Sequence, residues 1–217
     1  MTEFWEESFK KNQEMWGFEP SPSTVLTSDF FVENNVKNVL IPGIGYGRNA
    51  QIFIENGMTV TGIEISQTAI DLAQKHFDNK LTIYHGSVTE MPFDKKLYDG
   101  IYSYALIHFL DKEEREKLIR DCFNQLSDNG YMFFATVTKE AQIYGRGTCI
   151  GKDKVELYGG LKMFFYDLES IQEEFGKAGL FEITDVRDIY PFYLIKCKRN
   201  KMKNPARGGQ AINHQGH

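Results

Sequence analysis

The chain has 217 residues, 41% of them hydrophobic, which is enough to bury the core of one α/β domain. Its net charge of −5 at pH 7 gives no long-range attraction for nucleic acid, so a nucleic-acid partner is not expected. No apolar run approaches the roughly 18 residues that span a bilayer, and the first residues lack the basic start and apolar centre of a signal peptide, so we expect a cytoplasmic protein without a membrane partner.

Short apolar runs alternate with segments of helical period along most of the chain, which is typical of a βαβα order. The predicted parallel strands are residues 36–41, 59–63, 81–84, 100–104 and 131–137. Two closing strands, "FEITDVRDI" and "FYLIKC", are too close together for a helical crossover and predict an antiparallel hairpin. The expected fold is α/β: a Rossmann-like, seven-stranded, mostly parallel sheet with helices on both faces and a C-terminal antiparallel hairpin.

The helices between these strands carry start signals. Ser66 is placed to cap "QTAIDLAQKHF", and Asp111 with Glu114 three residues later forms a capping-box pattern before "REKLIRDCFNQL". In the second of these helices the apolar side chains, Cys122 among them, fall on one face. We interpret Cys122 as a core residue and the widely spaced cysteines of the chain as free thiols.

Three regions are predicted along the chain. Residues 1–35 contain both tryptophans, Trp5 and Trp16, and are too aromatic for a solvated leader. This segment either covers an edge of the sheet or folds over the ligand as a lid, and we favour the lid. Residues 36–198 form the sheet domain, and residues 199–217 have few apolar side chains and are expected to form a mobile tail.

The stretch "NVLIPGIGYGRNA" joins the first predicted strand to the first helix, at the edge where ligands bind in open parallel sheets. Gly43, Gly45 and Gly47 allow tight turns and close approach of a ligand to the main chain. Arg48 stands where a dinucleotide-binding GxGxxG loop has its third glycine, so NAD fits less well. Glu64 follows Gly45 by 19 residues, at the position where a carboxylate accepts hydrogen bonds from the ribose hydroxyls of a nucleoside.

Successive motifs between residues 36 and 137 resemble those of the class I S-adenosylmethionine (SAM) dependent methyltransferases. They are, in order, "VLIPGIGYGRNA", "VTGIEIS", "SVTEMPF", "YDGIYSYALIHF" and "LSDNGYMFF". Within this superfamily "WGFEPSPS" is similar to the thiopurine and thiol methyltransferases, and "GYGRN" is similar to the tellurite-resistance methyltransferases. The family usually has acidic residues before the first loop glycine and near the adenine, where this chain has Pro42 and Ser87. The resemblance implies a SAM-dependent methyltransferase that acts on a small molecule.

The resemblance also implies which residues hold the cofactor, S-adenosyl-L-methionine. The loop glycines would lie against its amino acid and ribose portions, and Glu64 would bind the ribose hydroxyls. Ile65 would pack on the adenine ring, and the segment around Ser87 would contact the adenine edge. The predicted cofactor-binding residues are Trp16, Gly43, Gly45, Gly47, Arg48, Glu64, Ile65, Ser87, Val88, Met91 and Tyr104.

Methyl transfer from a sulfonium is an in-line displacement that needs no metal, so positioning the acceptor is the main catalytic task. The predicted catalytic residues are Tyr104, His108 and Arg146, and no metal site is predicted. His108 is either a base that takes a proton from the acceptor or a structural hydrogen-bonding residue. Arg146 would hold an anionic group of the acceptor.

The expected partner is a small-molecule methyl acceptor, and we favour a thiol or another soft nucleophile. The aromatic residues expected to line its pocket, several of them in a glycine-rich region that we expect to form flexible loops, are Tyr104, Phe109, Tyr144, Tyr158 and Phe164. Two rival functions stay open. One is a SAM-binding protein without turnover, and the other is a nicotinamide-dependent oxidoreductase, which Arg48 disfavours.

Overall fold

A seven-stranded sheet forms the centre of the computed structural model, which describes residues 2–78 and 80–201. The strands of the described residues are β1 (Asn38–Pro42), β2 (Thr59–Glu64), β3 (Thr82–His85), β4 (Tyr98–Tyr104), β5 (Leu126–Val137), β6 (Thr148–Gly151), β7 (Lys154–Glu156), β8 (Lys162–Phe164), β9 (Leu180–Arg187) and β10 (Pro191–Lys198). The large sheet has the order β3-β2-β1-β4-β5-β10-β9, and β6, β7 and β8 form a second sheet of three strands.

Six α-helices are described around the large sheet. They are α1 (Thr2–Asn12), α2 (Pro22–Glu33), α3 (Ala50–Glu55), α4 (Gln67–Phe77), α5 (Lys112–Asn124) and α6 (Leu168–Phe175). Two short 3-10 helices, Val88–Glu90 and Ile107–Phe109, follow β3 and β4. None of the described helices is both long and apolar enough to cross a membrane.

The predicted fold class is confirmed. Strands β1 to β5 pair in parallel, and β10 pairs antiparallel with both β5 and β9. The chain adds β2 and β3 on one side of β1, then crosses to add β4 and β5 on the other. This reversal opens a crevice at the carboxyl ends of β1 and β4, which is where ligands bind in such sheets.

Both predicted helix starts are confirmed. The Ser66 side chain accepts a hydrogen bond from the Ala69 N–H at 3.2 Å, at the start of α4. At the start of α5, Asp111 accepts from the Glu114 N–H at 3.0 Å, and the Glu114 carboxylate accepts from the Asp111 N–H at 2.9 Å. These reciprocal bonds satisfy N–H groups that have no partner within the helix.

The apolar face of α5 also carries a charge that the pattern did not predict. Cys122 is buried as expected, but so is Arg115. The Arg115 guanidinium pairs with Glu174 at 2.7 Å and lies 3.9 Å from the centre of the Phe164 ring. Phe164 therefore packs on this ion pair rather than facing a substrate pocket.

The N-terminal segment divides into two parts with different contacts. In α2 the buried face consists of small polar side chains and Phe31, and the hydroxyls of Ser23 and Thr24 bond to the Tyr102 hydroxyl of β4 at 3.1 and 2.9 Å. This helix covers one face of the sheet. The first helix, α1, packs against α4 instead, above the carboxyl ends of the strands.

The glycine-rich region after β5 is more ordered than we expected. Part of it forms the antiparallel sheet β6-β7-β8, whose Val155 and Met163 side chains are buried. Lys139 fastens the base of this region through ion pairs to Asp153 and Asp167. Of the tail predicted for residues 199–217, the part from residue 202 onward lies outside the described residues.

A glycine in β2 sets the position of the ligand loop. A Cβ atom on Gly62 would lie 2.6 Å from the Ile44 side chain, which belongs to the loop after β1. We predict that Gly62→Ala lowers the free energy of unfolding by about 1–3 kcal/mol, because the loop must move to make room. In Gly151→Ala the added atom meets nothing nearer than 3.8 Å, and this control should unfold like wild type. Equal thermal unfolding of both variants would contradict the tight packing.

Candidate active site

A cavity of about 410 Å³ lies at the carboxyl ends of β1, β2, β4 and β5. Ten of the predicted site residues line it: Trp16, Gly43, Gly45, Arg48, Glu64, Ile65, Ser87, Val88, Tyr104 and His108. Its volume is in the range of small-molecule binding sites.

The glycine loop presents bare main chain to this cavity. Gly43 and Gly45 have φ values of 72° and 59°, which favour glycine because it has no Cβ atom. The N–H groups of Gly43 and Ile44 both donate to the Ile63 carbonyl oxygen, at 2.9 and 3.1 Å. These bonds hold the loop against the end of β2.

Glu64 ends β2 and is nearly completely buried. One carboxylate oxygen, Oε2, accepts from the Gly45 N–H at 2.8 Å. The other, Oε1, accepts from the N–H groups of Ile65 and Ser66, each at 2.9 Å. Burial raises the pKa of Glu64, and the three N–H donors oppose this shift.

This arrangement fits a ribose. Each carboxylate oxygen accepts about two hydrogen bonds, so Oε1 is filled and Oε2 keeps a position for a hydroxyl donor. Glu64 lines the cavity beside Gly45, where a bound nucleoside would lie against the loop. The structure therefore has the acceptor that a nucleoside cofactor such as SAM requires.

The segment after β3 forms the next part of the cavity wall. Ser87 caps the short helix Val88–Glu90 with a capping box that includes Glu90. Its hydroxyl accepts from the Thr89 N–H at 3.2 Å and lies 2.7 Å from the Thr89 hydroxyl. Because the Ser87 hydroxyl is occupied in this way, the main chain here is the freer partner for an adenine.

The first helix closes the cavity from above. The Glu6 carboxylate accepts from the hydroxyls of Ser66 and Thr68, at 2.6 and 2.7 Å. These two bonds, led by the one from Ser66, lower the pKa of Glu6 to about 2. Trp5 and Phe9 of the same helix line the cavity, and the Trp5 ring centre is 5.1 Å from that of Phe109.

Trp16 follows the first helix and lines the cavity next to Tyr46. The two rings are stacked, with centres 6.4 Å apart and an angle of 8° between their planes. The Tyr46 hydroxyl donates to the Gly17 carbonyl oxygen at 2.7 Å and accepts from the Trp16 N–H at 3.1 Å. Tyr46 belongs to the glycine loop, so the N-terminal segment is tied directly to the predicted ligand site.

Tyr104 stands at the end of β4, and its hydroxyl donates to the Asp188 carboxylate at 2.9 Å. Asp188 also accepts from the Ser23 hydroxyl at 3.3 Å. Burial and the nearby Asp188 charge raise the pKa of Tyr104. Tyr104 is therefore a protonated phenol held in place, and it does not act as a base at neutral pH.

His108 is buried beside the cavity, with 2% of its surface exposed. Its Nδ1 atom lies 3.0 Å from the Thr136 hydroxyl and accepts from the Val137 N–H at 3.4 Å. Burial lowers the pKa of His108 to about 3. The imidazole is therefore neutral at physiological pH, and one of its nitrogens has a structural partner.

The structure places three predicted site residues outside the cavity lining. Arg146 is exposed on the turn before β6 and does not line the cavity. Gly47 packs on Phe77, and a Cβ atom at this position would lie 2.4 Å from its ring. Met91 is buried in the core.

Of the aromatic residues predicted for the acceptor pocket, Tyr104 and Phe109 line the cavity. Tyr144 and Phe164 do not, because Tyr144 bonds to Asp153 and Phe164 packs on Arg115. The side chain of Tyr158 lies outside what the structure describes.

The sequence did not reveal several residues that line the acceptor end. They are Met163, Ile189, Tyr190 and Phe192, with Asp188 behind Tyr104. Most belong to the connection between β9 and β10 and the start of β10. The sequence feature that could have located them is the predicted hairpin around Pro191, because its turn lies at the carboxyl ends of the parallel strands.

Comparison with known proteins agrees with this geometry. Residues 40–134 match a family model described as a methyltransferase domain. An uncharacterized methyltransferase of Oceanobacillus iheyensis is 32% identical over 114 residues, covering 51% of this chain and 53% of that protein. The chain thus spans about half the length of this curated relative.

Two solved structures share the fold over 92% of this chain. One is a protein of echinomycin biosynthesis, where a disulfide bond is converted into a thioacetal group; the TM-score is 0.73 with 14% identity over 92% of that chain. The other is the 1,6-didemethyltoxoflavin-N1-methyltransferase of Burkholderia thailandensis with its substrate and S-adenosylhomocysteine bound; the TM-score is 0.70 with 13% identity over 87% of that chain.

The chain shares its mostly parallel α/β fold with these solved structures, and residues 40–134 match the methyltransferase domain model. The methyltransferase-domain match lies within the stretch whose motifs carry the resemblance. The closer resemblance to the thiopurine and tellurite-resistance groups stays a prediction.

Glu64 gives the most direct test of the cofactor half of the site. We predict that Glu64→Ala weakens SAM binding by about 2–3 kcal/mol, the range for hydrogen bonds to a charged group. It should also lower the melting temperature, because three N–H donors lose their acceptor. The exposed Glu33→Ala change is the control for removing one carboxylate. Calorimetry that shows wild-type SAM affinity for a folded Glu64→Ala protein would exclude Glu64 from the site.

Proposed function

We propose that the protein is a SAM-dependent methyltransferase that acts on a small molecule. One observation carries this proposal: a single cavity joins the glycine loop and Glu64 to an aromatic region beyond β4. A nucleoside cofactor and a second small molecule can therefore lie end to end in one cavity. Such juxtaposition is what an in-line transfer between them requires.

The residues of the cavity divide into two groups by position. The glycine loop, Glu64 and Ile65 lie at the end that suits the nucleoside, and Tyr104, His108 and Phe192 lie at the other end. SAM supplies an electrophilic methyl group on a sulfonium centre. The task of the chain is then to hold the acceptor in line with that methyl group and to exclude water.

A soft, polarisable acceptor such as a thiol fits the second end best. Aromatic and thioether side chains, including Phe109, Met163 and Phe192, favour an apolar molecule of modest size. Arg48 is the only lysine or arginine among the described cavity residues, so it takes the anion-holding role that we had predicted for Arg146. The similar structures come from both sulfur and nitrogen chemistry, so the choice of acceptor rests on this chain's own residues.

The aromatic end of the cavity also argues against the two rival functions. A protein that only stores or senses SAM has no need of a second compartment beside the methyl group. A dinucleotide-binding loop has a glycine at position 48, which lets the main chain pack closely. Here the position is occupied by Arg48, whose side chain donates a hydrogen bond to the Glu19 carbonyl oxygen. The enzyme is therefore preferred to either rival.

Two measurements test the proposal. Calorimetric titration with SAM and with NADH should show binding of SAM alone. Mass spectrometry of reactions with thiols, chalcogen oxyanions, amines, carboxylates and phenols should show S-adenosylhomocysteine formed with a thiol or another soft acceptor. SAM binding without transfer to any acceptor would favour the storage or sensing function, and transfer confined to oxygen or nitrogen would exclude the soft acceptor.

The first helix, α1, forms a lid over this site in the same proposal. It packs against α4, and its Trp5 and Phe9 side chains line the cavity. Glu6 latches it by binding the hydroxyls of Ser66 and Thr68. Because the folded-state pKa of Glu6 is about 2, the latch is fully present above about pH 4.5 and is lost as the pH falls toward 2.

We predict that Glu6→Gln weakens SAM binding about 3- to 10-fold, because a neutral amide is a poorer acceptor for the two hydroxyls. Tryptophan fluorescence, which should change when SAM binds wild type, should respond less. Glu7→Gln removes the same charge from the same helix but faces solvent beside Lys10, and it should behave like wild type. Identical affinities for the two variants would show that Glu6 does not latch the lid.

A further inference from the structure

We propose that His108 presents a fixed Nε2–H donor to the acceptor end of the cavity, so that the site selects an acceptor that arrives already deprotonated. This inference rests on the proposed methyltransferase function and names the substrate class more closely. It assigns His108 a role different from that of a general base.

The tautomer of His108 follows from its partners. The Val137 main-chain N–H can only donate, and it donates to Nδ1. Nδ1 must therefore lack a proton, and the Thr136 hydroxyl, 3.0 Å away, donates to the same atom. A neutral imidazole carries one proton, which is then on Nε2.

The sheet itself fixes this arrangement. Strands β4 and β5 pair in parallel as far as Tyr104 and Ala135, and the Ala105 N–H then donates to the Ala135 carbonyl oxygen. Beyond Ala135, the next N–H group of β5 that points toward β4 is that of Val137, and it donates its hydrogen bond to the His108 ring. Turning the ring over would leave this buried N–H without an acceptor, which costs about 1–3 kcal/mol.

The other ring nitrogen is left for the cavity. His108 lines the cavity, and its Nε2 atom has no hydrogen-bond partner among the described residues. The fully buried side-chain atoms that lack a partner do not include Nε2, so this atom is accessible from the cavity. The rings of Phe109 and Phe192 flank the imidazole, with centres 4.4 and 6.0 Å away. These surroundings are apolar, so a ligand atom that accepts from Nε2 would do so with little competition from water.

Charged groups near His108 do not turn it into a base. None of the ionisable residues that share the cavity with it hydrogen-bonds to the ring in the described structure; they are Arg48, Glu64, Glu114, Tyr46, Tyr104 and Tyr190. A histidine base normally has a carboxylate or carbonyl acceptor on its second nitrogen, whereas here that nitrogen is itself an acceptor. Burial alone, which lowers the pKa of His108 to about 3, also disfavours the imidazolium.

The chemistry balances without a base. An anionic acceptor such as a thiolate uses its lone pair to form the bond to the methyl carbon, while the bond from methyl to the sulfonium sulfur breaks and its electron pair stays on that sulfur. No proton leaves the acceptor during this step. The Nε2–H donor orients the anion by a charge-assisted hydrogen bond and favours ionised over neutral acceptors.

Nitrogen-15 NMR of the imidazole rings in the full-length protein tests the tautomer without any turnover. The spectrum of His108→Asn identifies the His108 signals by their loss. We expect a neutral ring with the proton on Nε2 throughout pH 5–8. A proton on Nδ1, or a ring that titrates within this range, would overturn the inference whether or not the protein transfers methyl groups.

Kinetics with a series of thiols of different pKa test the consequence. At saturating SAM, we expect kcat/KM for each thiol to rise with pH and to level off near the pKa of that thiol. The pH at which the profile levels off should therefore differ from one acceptor to the next. A break at one pH between 6 and 7 for all acceptors would instead identify an enzyme base. Failure of transfer to every acceptor, with the Nε2–H tautomer observed, would count against the proposed function and would leave the donor assignment supported.

Two variants separate the functions of the ring nitrogens. His108→Asn keeps an acceptor near the Nδ1 position but has no group at the Nε2 position, and His108→Gln places an amide N–H near Nε2. We expect His108→Asn to lower kcat/KM about 10- to 100-fold with unchanged SAM affinity, and His108→Gln to recover part of the loss. The same substitution at an exposed histidine that does not line the cavity, His76→Asn, is the control and should match wild type. Wild-type turnover by a folded His108→Asn protein would show that Nε2 donates nothing to the acceptor.

Discussion

The arrangement of the site depends on one buried carboxylate. Glu64 accepts hydrogen bonds from the N–H group of Gly45 in the glycine loop and from those of Ile65 and Ser66, just before α4. It therefore joins the loop after β1 to the turn after β2, the two connections that bound the cofactor half of the cavity. Burying a carboxylate without such donors would be strongly unfavourable, so the loop conformation and the charge of Glu64 require each other.

The same network continues outward to the lid. Ser66 donates its N–H to Glu64, caps α4 with its side chain, and donates its hydroxyl to Glu6 of α1. Movement of α1 and the order of the turn after β2 are therefore coupled through one serine. The acceptor half is held by a separate set of bonds, in which Tyr104 and Ser23 both donate to Asp188. Cofactor binding and acceptor selection can thus be changed by different residues.

Local patterns predicted the parts of the structure that depend on local physics. The apolar runs predicted the parallel strands, and Ser66, Asp111 and Glu114 predicted helix starts, because caps are satisfied within a few residues of the chain. The glycine loop and Glu64 could be located for a similar reason, since the βαβ connection fixes where both must lie. The order of these motifs carried the resemblance to the methyltransferases.

The acceptor end could not be predicted in the same way. Its residues come from the connection between β9 and β10, from β8 and from α1, and only tertiary packing brings them together. The glycine-rich surroundings of Arg146 indicated a loop over the pocket, whereas Arg146 lies exposed on the turn before β6 and does not line the cavity. The tautomer of His108 depends on the N–H of Val137, 29 residues further along the chain, and no spacing in the sequence reports that bond.

The central claim is that one cavity holds SAM on Glu64 with its reacting sulfur toward His108. The most direct measurement is a crystal structure of the full chain with S-adenosylhomocysteine. The account predicts the ribose hydroxyls within hydrogen-bond distance of Glu64 Oε2, the adenine beside Ile65, and the sulfur facing the aromatic end of the cavity. A ribose bound to another group, or a sulfur directed away from His108, would contradict it.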